Sequence, residues 1–127
     1  VILLLDAGNT RLKWAPLVDG RLGAVQAVAH RDAPDDEWQR ALAGSGRPAR
    51  VLVANVAGAA FGAALADWAR AAWGLAPEFV ATTRVAGGVV NAYANPAGLG
   101  VDRWLAMIGA WRATRGPFVV VSAGTAL

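Results

Sequence analysis

An α/β fold is predicted by three observations. Short apolar runs close on Gly, Asn or Asp; two stretches carry helical spacing; and they alternate in the order β-β-β-α-β-α-β. The chain has 127 residues, 56% of them hydrophobic. That is enough for one domain with a real core and too apolar for disorder.

Residues 1–5 (VILLL) read as a buried strand that stops at the carboxylate of Asp6. A Gly-Asn-Thr corner follows, and residues 11–18 form the returning strand. Asp19-Gly20 is a strong hairpin signal and turns the chain into a third strand over 21–30. Acidic residues from Asp32 to Asp36 open a helix over 35–43, which Gly44-Ser45-Gly46 and Pro48 end. Residues 51–56 are short and apolar enough for a central strand. The helix expected over 61–73 sets Leu65, Trp68 and Ala72 on one face, with Asp67 and Arg70 off it, and Gly74 stops it. A short strand is expected over 79–82. This antiparallel start followed by βαβ alternation suits a ribonuclease-H-like core.

Residues 84–99, with Gly87-Gly88, Tyr93, Asn95-Pro96 and Gly98, are less regular, as either a binding loop or a plain connector would be. A helix over 104–113 follows. The six tryptophans fall mostly at core positions and read as packing.

Composition excludes several classes. The net charge is +3, but eleven of the twelve basic residues are scattered arginines, so a solvated surface explains them better than nucleic acid. With no Cys there is no disulfide framework or thiolate site, and the single His30 offers no zinc constellation; it reads as a surface or strand-end residue. No apolar run reaches membrane-spanning length and nothing resembles a signal peptide, so a soluble cytoplasmic protein is expected. The first residue is Val1 rather than Met, as in a trimmed chain.

Two motifs carry chemistry. In the first, Asp6 ends a strand where it could hold a divalent metal, and Gly8 allows close backbone approach. Asn9 and Thr10 add donors, Lys13 adds a charge, and the turn amides can cradle a phosphate. The same residues also suit an ordinary hairpin turn. In the second, Gly98-Leu99-Gly100-Val101-Asp102-Arg103 opens a helix. Asp102 could accept a proton from a hydroxyl or hold it, and Arg103 could clamp a carboxylate bidentately. Alternatively Asp102 is an N-cap and Arg103 faces water. Capping explains the Asp but neither the paired glycines nor the adjacent Arg.

The C-terminal run Val119-Val120-Val121-Ser122-Ala123-Gly124-Thr125-Ala126 echoes Leu3 to Thr10. Two related phosphate corners at the starts of two duplicated halves would look like this, as would two apolar strands alike by chance. On the first reading the chain stops as its second half begins, within a protein about twice as long.

LLLDAGNTRLK, YANPAGLGVDR and VVVSAGTAL, in that order and spacing, resemble the type III pantothenate kinases, the family of the Bvg accessory factor proteins. The resemblance implies the duplicated actin-like/hexokinase ATPase (ASKHA) fold. Residues 1–116 would be the N-terminal ribonuclease-H-like domain and 117–127 the first strand and phosphate-loop start of a truncated second domain. It implies transfer of the ATP γ-phosphoryl to the pantothenate hydroxyl, with Mg²⁺ and a monovalent cation (K⁺ or NH₄⁺), in a homodimer whose site lies at the subunit interface.

Position by position, Asp6, Gly8, Asn9, Thr10 and Lys13 match the first phosphate motif, with Asp6 towards Mg²⁺. Tyr93, Gly100, Asp102 and Arg103 match the pantothenate segment, with Asp102 as general base and Arg103 on the substrate carboxylate; Gly124 and Thr125 match the second phosphate loop. Ser122 departs from the Asp many members carry, and the chain ends at Leu127, before the Thr-x-Asp whose acid helps hold the monovalent cation. Two alternatives stand beside this reading: another small-molecule kinase of the superfamily, and a non-catalytic regulator that keeps the fold.

Overall fold

The computed structural model describes residues 1–124 and divides into two compact units, Val1–Val80 and Ala81–Leu127. The first is built on a six-stranded mixed sheet. Strand β1 (Ile2–Ala7) pairs antiparallel with β2 (Arg11–Val18) on one side and parallel with β5 (Arg50–Asn55) on the other. Outside β5 lies β6 (Glu78–Phe79), also parallel. Outside β2 lie two short strands, β3 (Arg21–Leu22) and β4 (Gln26–Ala29).

The single third strand expected over 21–30 is therefore broken in two, and Pro16 is the reason. Trp14 pairs with Gln26 and Leu17 with Leu22, so Ala15 and Pro16 face the three residues 23–25, which is a bulge. Pro16 has no N–H for the ladder. Its carbonyl still accepts from Gly23 N–H at 2.8 Å, and a Cβ on Gly23 would stand 2.7 Å from the proline ring.

Alternation along the strands builds one buried face. Leu3, Leu5 and Ala7 of β1, Leu12 and Trp14 of β2, and Val51 and Val53 of β5 form a continuous core with both helices. Helix α1 (Asp35–Ala43) contributes Trp38 and Leu42; helix α2 (Ala59–Trp73) contributes Leu65, Ala69 and Trp73. Each large side chain so buried contributes about 1.5–3 kcal/mol. Edge-to-face contacts run through the indoles, Trp38 to Trp68 at 5.9 Å and Trp68 to Trp73 at 4.7 Å between centroids.

The buried stripe of α2 differs from the expected face. Leu65 continues to Ala69 and Trp73, Trp68 is half-buried, and Ala72 is exposed. Both registers fit a helical period. Burying the indole of Trp73 removes far more apolar surface than burying a methyl group, so the helix turns that way.

In the second unit, β7 (Val85–Ala86) and β8 (Val89–Val90) form a tight hairpin. Its turn residues Gly87 and Gly88 have φ of 58° and 84°, the two positive values a two-residue type I′ turn requires. A 3₁₀ turn (Pro96–Gly98) then leads into α3 (Val101–Thr114), which begins three residues earlier than the helix read from the sequence. Val119, Val120 and Val121, expected as a strand, join no ladder among the described residues and are exposed. An apolar strand needs a neighbour for its N–H and C=O groups.

Candidate functional site

Asp6 lies inside β1 rather than beyond its end, as the penultimate residue of the strand. Its face is the one opposite the core, and it is exposed. Lys13 stands directly across on β2, also exposed, so the carboxylate and the ammonium share one side of the sheet. Gly8 starts the corner between β1 and β2. Its N–H donates to the Arg11 carbonyl at 3.0 Å, and a Cβ there would meet that oxygen at 3.3 Å. Close packing at the turn, and not a left-handed backbone, is what favours glycine here.

The corner is held from outside by His30, which sits just past β4. Its Nε2 lies 2.6 Å from the Gly8 carbonyl oxygen, so it carries the proton and donates. The backbone N–H groups of His30 and Arg31 both donate to the Thr10 carbonyl, at 3.0 and 3.3 Å. The His30 ring packs on Phe61 of α2, with centroids 4.2 Å apart. His30 follows the last residue of β4, so the strand stops one position short of the end that the sequence indicates. Its grip on Gly8, 22 positions away, leaves no local signal.

Asn55, at the end of β5, orders the neighbouring turn. Its Oδ1 accepts from Ala57 N–H at 2.9 Å and its Nδ2 donates to the Gly58 carbonyl at 3.0 Å. This Asx turn sets the start of α2. Between these elements Asn9, His30, Arg31, Ala57, Ala60, Phe61 and Ala64 line an open cavity of about 440 Å³. An amide, a guanidinium and a wall of small apolar groups suit a polar ligand lying against the corner.

No cluster of three metal-ligating side chains occurs among the described residues. A single exposed carboxylate such as that of Asp6 still fits Mg²⁺, which is commonly held by one or two carboxylates with phosphate oxygens and water completing the shell.

In the second unit the capping reading of Asp102 is overturned. Gly100 is the N-cap residue of α3 and makes no side-chain cap; Asp102 lies one residue inside the helix. Its Oδ1 accepts from the adjacent Arg103 N–H at 2.8 Å, and its side chain is half-buried, while Arg103 is exposed. The helix opens instead through the backbone bond from Trp104 N–H to the Gly100 carbonyl, 3.0 Å. Oδ1 thus satisfies one of the open N–H groups of the first turn, and a carboxylate has further lone pairs to offer a hydroxyl. Tyr93 is 47% exposed, and the Cβ position of Gly98 lies 3.6 Å from its ring.

The structure thus brings Asp6, Gly8, Asn9, Thr10 and Lys13 to one corner of the first unit. Tyr93, Gly100, Asp102 and Arg103 lie on one loop-and-helix segment of the second. Gly124 is an exposed bend, and Thr125 lies outside the described residues. Sequence reasoning missed His30 as a support for the corner and Asn55 as the residue that sets the start of α2.

Comparison with known proteins gives a family. The family model for type III pantothenate kinase matches residues 2–127. A type III pantothenate kinase of Azoarcus sp. is 45% identical over 126 residues, covering 99% of this chain and 48% of its own. That of Laribacter hongkongensis is 44% identical over 128 residues, covering 100% and 51%, and that of Nitrosospira multiformis 39% over 130, covering 100% and 47%. The chain spans about half the length of the curated relatives it matches.

Proposed function

The chain belongs to the type III pantothenate kinase family, and from that premise we propose that it is the N-terminal half of a kinase that phosphorylates pantothenate. The reaction forms a bond between the pantothenate hydroxyl oxygen and the γ-phosphorus of ATP, breaks the γ-phosphorus bond to the β-phosphate oxygen and releases ADP. The product, 4′-phosphopantothenate, begins coenzyme A synthesis. The family implies the ASKHA fold; residues 1–116 are read as its first ribonuclease-H-like domain and 117–127 as the opening of the second.

The observation that carries the reading is Asp102 held beside Arg103 in the first turn of α3, inside the helix and not at its N-cap position. In the proposed reaction Asp102 takes the hydroxyl proton as general base, Arg103 pairs with the pantothenate carboxylate, and Tyr93 and Gly100 line the substrate. The Gly8–Thr10 corner, Lys13 and, in the second loop, Gly124 and Thr125 meet the ATP phosphates. Phosphoryl transfer needs positioning and charge neutralisation more than covalent help, which suits this set of groups. Asp6 would hold Mg²⁺, which neutralises phosphate charge when bound. A monovalent cation, K⁺ or NH₄⁺, a homodimeric assembly and a cytoplasmic location complete the proposal. No helix among the described residues is long and apolar enough to cross a membrane.

The test is pantothenate-dependent ADP formation by the protein encoded in the uninterrupted reading frame, with Mg²⁺, and with or without K⁺ or NH₄⁺. Turnover only when pantothenate is present is the expected result. Asp102→Asn should lower kcat by about 10²–10⁴ while the melting temperature stays near that of the parent, since asparagine keeps an acceptor oxygen for the Arg103 N–H. A folded, inactive full-length protein would instead favour the regulator, with Ser122 the first position to revisit.

A further inference from the structure

Asn91 is the one polar side chain buried among the described residues, only 1% exposed. A buried amide costs free energy unless every polar atom finds a partner. Here each does. Its Nδ2 donates to the carbonyls of Thr83 (3.3 Å) and Pro96 (3.2 Å), and its Oδ1 accepts from Tyr93 N–H (3.0 Å). Its own N–H donates to the Arg84 carbonyl at 2.7 Å.

Arg84 completes the arrangement from the other side. Its Nη1 donates to the carbonyls of Asn91 (2.8 Å) and Tyr93 (2.6 Å), and its Nη2 to that of Ala94 (3.1 Å). The chain from 91 to 94 is wrapped around one guanidinium. Tyr93 is thereby fixed at both backbone groups, its N–H by the Asn91 amide and its carbonyl by Arg84, while its ring stays exposed.

The clamp is also anchored to α3. Cβ atoms on Gly87 and Gly88 would stand 2.6 Å from Ile108 Cγ2 and 2.7 Å from Trp111 Nε1, so the β7–β8 hairpin lies directly against the helix. Thr82 Oγ1 donates to the Leu99 carbonyl at 2.8 Å, just before Gly100. A connector needs no such framework. Its effect is to hold an exposed aromatic ring at a set position on the segment that leads to Asp102 and Arg103.

We propose that Arg84 and Asn91 are positioning residues for the pantothenate-binding segment, acting on substrate only through the backbone of Tyr93 and the turn after it. This rests on the kinase reading above. The experiment is steady-state kinetics of the full-length protein, varying pantothenate and ATP separately, for the parent, Arg84→Met, Arg84→Lys and Asn91→Asp. Arg84→Met keeps the apolar stem and removes three charge-assisted bonds. It should raise the KM for pantothenate about tenfold or more, leave the KM for ATP within about twofold, and be partly rescued by Arg84→Lys. Asn91→Asp, which keeps the acceptor and loses both donors, should shift the same KM. Because Arg84 is at the surface, its variants test the idea even if the Asn91 variant does not fold. Rises in both KM values together, or a lowered melting temperature with an unchanged pantothenate KM, would overturn the positioning role alone. A parent without pantothenate-dependent turnover would overturn the kinase reading and this proposal with it.

Discussion

His30 shows how a single side chain can hold the β1–β2 corner without belonging to its motif. A donor 2.6 Å from the Gly8 carbonyl, backed by the Phe61 ring, fixes the peptide plane that precedes Asn9. Replacing it with Ala should cost about 1 kcal/mol of stability for the lost bond. On the kinase reading it should raise the KM for ATP several-fold and leave the KM for pantothenate unchanged. His30→Gln, which can still donate to a carbonyl, should recover part of the loss. Thermal melts and two-substrate kinetics on the full-length protein would show this, and equal effects on both KM values would contradict it. Asp6, Gly8, Asn9, Thr10 and Lys13 could be read as one corner because they lie close together along the chain. His30, Arg84 and Asn91 were not, because each holds backbone carbonyls that only the folded chain brings to it.

At the scale of elements, the alternation of apolar runs and helical periods placed β1, β2, α1, β5 and α2 close to their observed positions. It failed where two local signals competed. Pro16 broke the third strand by withholding an N–H, and the size of Trp73 turned α2 away from Ala72. In residues 84–99 the turn chemistry of Gly87-Gly88 was present in the sequence, but strands of two residues carry no periodicity to announce a hairpin. These glycines differ in kind from Gly20, which also has a positive φ (74°) but nothing within 4 Å of its Cβ position. Gly87→Ala adds a clash with Ile108 to the backbone strain and should cost about 1–3 kcal/mol. Gly20→Ala should cost about 1 kcal/mol from strain alone. Chemical denaturation of both variants would separate the two contributions; equal losses would mean the hairpin yields to α3.

The parallel pair β5–β6 is tied by a bidentate bridge, Arg50 Nε and Nη2 each 2.8 Å from a Glu78 oxygen. The hydrogen bonds from Arg50 are the main reason the Glu78 carboxyl is held below its ordinary range; desolvation opposes them, and the guanidinium charge adds a smaller lowering. A carboxyl whose folded pKa is depressed stabilises the fold above its unfolded pKa, and that stabilisation fades as pH falls through the folded value. The pair is solvent-exposed, so the effect is modest. Glu78→Gln should slightly lower the melting temperature at neutral pH and have no effect in acid below the folded pKa. A difference from the parent that persists at low pH would show that packing, not charge, is what the substitution disturbs.

For the whole molecule, the α/β class was readable because the spacing of strands and helices survives in one dimension. The rotation of α2, the bulge and the clamp around Tyr93 depend on which groups meet in three. The chain's span of about half its relatives' length has a physical consequence on the kinase reading. In-line transfer requires that the nucleotide be held on both sides, by the corner at Gly8 and by the loop that begins at Gly124. The 127-residue polypeptide supplies the first corner and only the start of the second loop. Expressed alone, it should show no pantothenate-dependent ADP formation above background, and ATP at millimolar concentration should barely raise its melting temperature, because weak binding stabilises little. The full-length protein should turn over and be stabilised by ATP under the same conditions. Turnover by the shorter polypeptide at a comparable rate would mean that one corner and Asp102 suffice, and the clamping role given to the second loop would have to be abandoned.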